Sequence, residues 1–247
     1  MIRLLATTAL LGSLATTAFA QDLNAMSDEE RALFRAEVRA YLFENPEVIM
    51  QAVEILQNRE QQAQVQADVD LVTQHADAIF NDGYSWVGGN PDGDIVLVEF
   101  LDYRCGYCKK AHSEVAQLLE SDGNIKWIVK ELPILGDASV LASRFAVAVK
   151  QVAGGDSYHT VADALMSFQG DITLPSLRRL GSTFGLDMDA IEARMNAPEV
   201  TAEIEQTRAL AELLKISGTP TFVMKDELLR GYLTLDQMQA MIAEKRG

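Results

Sequence analysis

The chain has 247 residues, with 36 acidic against 21 basic side chains and a formal charge of −15. So acidic a surface argues against binding nucleic acid or anionic lipid through a general field. Only two cysteines are present, which excludes a disulfide-scaffold protein, and the length suits one substantial domain plus an appendage.

The first twenty residues read as a secretory leader: Arg3, an apolar run from Leu4 to Leu14, then Ala18-Phe19-Ala20 as a small-x-small cleavage site. That run is too short to span a bilayer, and no other stretch approaches the length needed. The expected mature chain starts at Gln21, carries a formal charge of −16 and is exported without a membrane span.

Ser27-Asp28-Glu29-Glu30 predicts a capping box, followed by a helix with Leu33, Phe34, Val38, Tyr41 and Leu42 on one face. Asn45-Pro46 predicts a new N-cap and first helical position, opening a second helix with Ile49, Ala52, Val53 and Leu56 on one side. From Gln57 to Gln66 the chain holds five glutamines and almost no large apolar side chain. Residues 21–75 are thus expected to form a helical oligomerisation module, self-associating through residues 27–56, with 57–75 as a stalk or linker.

A turn-rich stretch between Asn81 and Asp94 surrounds a short Ser85-Trp86-Val87 segment. Asp94–Leu101 is an apolar run without alternation, as expected of a strand covered on both faces. A helix is expected from Gly106 to Ser121, a turn at Asp122-Gly123-Asn124 and a second core strand at Ile125–Val129. Residues 137–217 are almost wholly helical in pattern. Then come a turn and strand at Gly218–Met224, a short strand near Leu228–Arg230 and a closing helix, Leu235–Lys245, capped by Thr234. The main domain therefore reads β–α–β, a long helical excursion, then β–β–α.

Chemistry concentrates at Cys105-Gly106-Tyr107-Cys108, where a core strand runs into a helix. A thiol at a helix N-terminus faces free N–H groups, which favour thiolate. Cys105 is expected to exchange with a partner sulfur and Cys108 to resolve the mixed disulfide. Lys109 follows the second cysteine where a c-type haem site needs histidine, and a structural zinc site lacks its second cysteine pair. His112 reads as a helix-surface histidine. Glu99 is a carboxylate inside the core strand, expensive to bury, and is expected to exchange a proton with Cys108, with Lys130 as a candidate partner. Thr219-Pro220 stands at the start of a strand, where a cis bond is affordable and an extended peptide could pair.

Three stretches carry a resemblance: Val98-Glu99-Phe100 with Cys105 to His112, Lys130-Glu131-Leu132-Pro133-Ile134-Leu135-Gly136, and Ser217 to Phe222. In this order they resemble the DsbA-like branch of the thioredoxin superfamily over residues 79–247. The resemblance implies an α/β thioredoxin fold over 76–247 with a helical insertion at about 137–217, preceded by an α-helical module. It also implies a cis proline at Pro220 facing the cysteines and a buried acid at Glu99, while Thr219, Pro220, Gly106 and Tyr107 are the expected contacts of a substrate peptide. Tyr41-Leu42-Phe43-Glu44-Asn45-Pro46-Glu47-Val48 is similar to the helical module of the suppressor-of-copper-sensitivity C (ScsC) proteins.

DsbA oxidases typically carry Pro-His between their cysteines; here Gly106-Tyr107 stands there, which implies a less oxidising pair. The expectation is a periplasmic disulfide isomerase or reductase acting on misoxidised exported proteins. It would need no cofactor beyond the Cys105–Cys108 disulfide and would be kept reduced by a membrane partner of the DsbD or ScsB type. Two rivals are a monomeric DsbA-like oxidase and a Cu(I)-binding protein of copper tolerance using both thiolates.

Overall fold

The computed structural model describes residues 26–247; the leader expected at 1–20 and residues 21–25 lie outside the described residues. The chain divides into two compact units, meeting between Glu60 and Gln61.

In the first unit, α1 (Asp28–Glu44) starts at the expected capping box. The Glu30 amide donates to Ser27 Oγ at 3.3 Å, and Glu30 Oε2 accepts from the Ser27 amide at 2.8 Å. Asp28, Glu29 and Glu30 lie in the positive first turn. Asn45 does not cap the following helix. Its backbone and side-chain nitrogens both donate to the Tyr41 carbonyl, so it closes α1. The next helix, α2 (Glu47–Gln74), runs for 28 residues. It continues through the glutamine-rich stretch because Gln, Ala and Glu are good helix formers without any apolar stripe. Gln64 and Gln66 donate to Asp68 and Asp70 one turn on.

The helical module is expected to run to residue 75, but the core of the second unit reaches back into α2. Val72 is buried in an apolar cluster with Val98 and Phe100, and Asp68 accepts from both terminal guanidinium nitrogens, Nη1 and Nη2, of Arg230.

The second unit is built on a five-stranded sheet of order β1-β3-β2-β4-β5. Its strands are β1 (Trp86–Gly89), β2 (Ile95–Leu101), β3 (Ile125–Glu131), β4 (Thr221–Met224) and β5 (Glu227–Arg230). Only β2 and β3 are parallel. Within the Ser85-Trp86-Val87 segment, which the turn-rich stretch surrounds, Trp86 and Val87 open edge strand β1 and Ser85 precedes it.

Side chains alternate across the sheet. Leu97, Leu101, Trp127, Val129 and Phe222 face one cluster, with Cys108, Ala111, Val115 and Leu118 of α4 (Gly106–Asp122) and Met238 of α10 (Leu235–Arg246). Val98, Phe100, Ile128 and Val223 face the other, with Ile79 of α3 (Ala76–Phe80) and Leu210 of α9 (Pro198–Leu213). Between β3 and β4 lies the helical insertion: α5 (Asp137–Ala153), α6 (Gly155–Met166), α7 (Leu174–Thr183), α8 (Met188–Met195) and α9. Gly123 ends α4 at φ 68°, a left-handed position that glycine adopts without strain.

Candidate active site

The site forms where β2 runs into α4. Asp102 is fully buried and accepts from three backbone amides: Arg104 at 2.8 Å, Ile134 at 2.9 Å and Leu135 at 3.0 Å. One carboxylate thus ties the β2–α4 turn to the loop after β3. The Asp102 carbonyl accepts from the Cys105 amide at 3.0 Å, and Cys105 is the N-cap of α4.

The Cys105 thiol donates to the Thr219 carbonyl at 3.1 Å, and the Thr219–Pro220 bond is cis. The thiol sits against the start of β4, beside a cavity of about 140 Å³ lined by Ser217, Thr219, Pro220, Arg230 and Gly231. Cys105 keeps 8% of its surface exposed, whereas Cys108, one turn further in, has none. Both thiols are free. Burial pushes the Cys108 thiol well above its ordinary value, and the nearby charges of Cys105 and Glu99 add to that. Tyr107 is 65% exposed. A Cβ on Gly106 would meet nothing within 4 Å, so no packing forces glycine there and the approach to Cys105 stays open.

Glu99 is fully buried on the Cys108 face of the sheet. Its Oε2 accepts from Trp127 Nε1 at 3.1 Å, and Oε1 has no protein partner. Burial raises its carboxyl to about 7, against the opposing charge of His112 and the Trp127 hydrogen bond. Because the folded value exceeds the unfolded one, Glu99 costs stability increasingly from about pH 4.5 to 7 and by a constant amount above that. Glu99→Gln is therefore expected to stabilise the chain by about 2 kcal/mol at pH 8, after the cost of an unpartnered amide. Below pH 4, where Glu99 is protonated folded and unfolded, only the cost of the unpartnered amide remains and the variant should be less stable by about 1 kcal/mol; urea titrations at both pH values measure it.

Lys130 does not partner Glu99. The β2–β3 register pairs Glu99 with Val129 and Phe100 with Lys130, so the period of two puts Lys130 on the opposite face. There its ammonium bonds Asp82 at 2.5 Å and the Ala78 carbonyl at 3.0 Å.

Two features were missed in the sequence. Glu131 is buried and accepts from the hydroxyls of Tyr103, Tyr158 and Ser143 at 2.5, 2.7 and 2.7 Å. Burial raises it to about 7 in spite of those three donors. Its odd-numbered place after Trp127 and Val129 was the available signal, because that spacing puts it on the cysteine face. The other is the partner of His112, the histidine expected on the helix surface: its Nε2 lies 3.0 Å from Asp163 Oδ1 of α6 and its side chain is 17% exposed.

A dithiol at a helix start, faced by a cis proline across a mixed sheet, defines a thioredoxin-type redox site. The family model for DSBA-like thioredoxin domains matches residues 96–243, and that for the copper resistance protein ScsC N-terminal domain matches residues 30–63. A thioredoxin-like oxidoreductase from Silicibacter pomeroyi is 40% identical, with a TM-score of 0.64 over 69% of this chain and 96% of that one. The thiol-disulfide exchange protein alpha-DsbA2 from Wolbachia pipientis is 30% identical, TM-score 0.69, over 74% and 98%. Proteus mirabilis ScsC in a transitional conformation is 25% identical, TM-score 0.65, over 89% and 98%. Among curated proteins, a Na(+)/H(+) antiporter NhaA 3 from Salinispora tropica is 26% identical over 156 residues; the chain spans 24% of its length. The chain belongs to the family of DSBA-like thioredoxin domains. Its members are thiol–disulfide oxidoreductases that work through a redox-active cysteine pair rather than a bound cofactor.

Proposed function

We propose that this protein is an exported, periplasmic disulfide isomerase or reductase that acts as a self-associated assembly on misoxidised proteins. The observation that carries the chemistry is the placement of Cys105. It caps α4, keeps slight exposure, and lies 3.1 Å from the carbonyl before a cis proline, with Cys108 sealed beneath it.

The Cys105 thiolate attacks a substrate disulfide, forming a Cys105–substrate bond and releasing one substrate thiolate. In isomerisation that thiolate, or another in the substrate, attacks elsewhere and eventually displaces Cys105. In reduction Cys108 loses its proton and attacks Cys105, closing the Cys105–Cys108 disulfide as the substrate leaves reduced. A membrane reductant of the DsbD or ScsB type then restores the dithiol. The Thr219-Pro220 segment just before β4, with Gly106 and Tyr107 beside Cys105, supplies the backbone and surface for an extended substrate segment. Tyr107 in place of a histidine removes a positive charge that would favour a strongly oxidising pair.

Self-association is supported by the first unit. Leu33, Phe34, Tyr41 and Phe43 are all exposed, the last by 71%. An apolar groove of about 530 Å³ is lined by Phe34, Val38, Leu42, Phe43, Pro46 and Ile49. Residues 30–63 carry the match to the ScsC N-terminal domain. Among the described residues no helix is long and apolar enough to cross a membrane.

The test is light-scattering mass together with refolding of scrambled ribonuclease, on the chain from Gln21 and on a Phe34→Asp/Val38→Asp variant. The unsubstituted chain is expected to be oligomeric and to restore ribonuclease. The variant should be monomeric and lose isomerisation while still reducing a small disulfide. A monomeric unsubstituted chain that only oxidises reduced ribonuclease would overturn the reading in favour of a monomeric oxidase.

A further inference from the structure

The redox pair leaves a cluster beside Glu99 without a role. A carboxylate that takes a proton from Cys108 must lose it again before the next cycle, and Glu99 has no exposed surface. One turn beyond Cys108 on α4, on the same side of the helix, stands His112. Its ring centroid is 6.4 Å from Trp127, whose indole donates to Glu99. Its Nε2 lies 3.0 Å from Asp163 Oδ1 on α6, which leaves Nδ1 as the nitrogen available for exchange. His112 is 17% exposed and Asp163 47%, so exposure rises stepwise from Glu99 outward. His159 Nδ1 stands 3.6 Å from the same Asp163 oxygen, with its ring stacked on Trp86.

We propose that His112, oriented by Asp163, is the positioning residue that passes protons between Glu99 and solvent and sets the pH at which Cys108 can resolve a mixed disulfide. This rests on Cys105 and Cys108 being the redox pair. The groups facing this path are Glu99 from β2, Cys108 from α4, Asp163 and His159 from α6, and the neutral Trp127 from β3. Lys130 is on the far face, and Glu131 is capped by three hydroxyls. In the resolving step the Cys108 proton moves to the Glu99 carboxylate. The Cys108 thiolate attacks the Cys105 sulfur, the Cys105–Cys108 bond forms, the Cys105–partner bond breaks, and the partner leaves as thiolate. The proton on Glu99 then leaves by way of His112. In its protonated form His112 favours the Glu99 carboxylate, so its loss should raise the pH at which Glu99 ionises.

Stopped-flow mixing of the reduced chain with oxidised glutathione separates two steps: bimolecular attack by Cys105 and unimolecular release of the second glutathione by Cys108. Between pH 5 and 9, His112→Gln is expected to leave the first step unchanged. It should slow the second about tenfold at pH 7 and move its midpoint up by about one pH unit. Asp163→Asn, altering a half-exposed side chain, should act in the same direction more weakly and carries the test if His112→Gln does not fold. In a Glu99→Gln background the profile should flatten, and adding His112→Gln should change nothing. A wild-type profile in both single variants, or an undiminished His112 effect without Glu99, would overturn the proposal. A wild-type chain that never releases the second glutathione would instead overturn the redox-pair reading.

Discussion

A Cys108→Ser chain is expected to accumulate as mixed disulfides with its substrates, while a Cys105→Ser chain forms none and exchanges at the uncatalysed rate. The asymmetry follows from exposure. Cys105 opens onto the surface at the start of α4; Cys108 is sealed under it and its thiol is held protonated by burial. An incoming sulfur therefore meets only Cys105. Cys108 acts from within the same molecule, and well-placed intramolecular groups reach effective concentrations far beyond any soluble thiol. Replacing it by millimolar glutathione should slow resolution on the order of a thousandfold or more. Non-reducing gels after alkylation read the trapped species directly, and mass spectrometry identifies the sulfur used. Mixed disulfides on Cys108 in a Cys105→Ser chain would reverse the assignment.

The redox stretch was legible in sequence because its parts are local. Cys105 and Cys108 are three positions apart, the strand before them is an unbroken apolar run, and Pro220 sits in a short turn-and-strand motif. Glu99 could be singled out because a carboxylate in such a run must be either functional or costly. What could not be read was which face each residue shares with a distant one. Glu99 and Lys130 both stand in core strands, which makes them candidate partners in sequence, yet the β2–β3 register separates them by one residue and hence by the thickness of the sheet. Nothing local marks Asp102, since two of its three amide donors, Ile134 and Leu135, come from beyond α4 and β3 in the chain. His112 had the spacing to sit one turn past Cys108, but Asp163 reaches it only through the packing of the helical insertion. In the first unit the reverse holds. Asn45-Pro46 carries an N-cap pattern, and a local alternative, two hydrogen bonds to Tyr41, takes Asn45 for the preceding helix.

Lys130→Met is expected to destabilise the chain by about 3–5 kcal/mol without changing the pH dependence of the Cys108 step. The Lys130 side chain has no exposed surface and sits among Phe100, Val98 and Ile128, while Asp82 is 9% exposed. Met fills the space, but it leaves a nearly buried carboxylate without its cation and the Ala78 carbonyl without a donor. Asp82 also accepts from the amides of Tyr84 and Ser85, so the charge pins the segment entering β1 to the middle of the sheet. Burial works against the Asp82 carboxylate, yet the Lys130 and Ser85 hydrogen bonds and the Lys130 charge together hold it below its ordinary value. A depressed folded value contributes stability above the unfolded one, about 3.8, and that contribution is lost as pH falls through the folded value. The gap between wild type and Lys130→Met should therefore narrow from pH 7 to pH 3, as urea titrations at each pH would measure. Asp82→Asn/Lys130→Met should recover part of the loss, because no unpaired charge remains. The activity profile separates the two possible places for Lys130. A lysine paired with Glu99 would shift the midpoint of the resolving step when removed, whereas a lysine on the far face of the sheet changes only how much of the chain is folded.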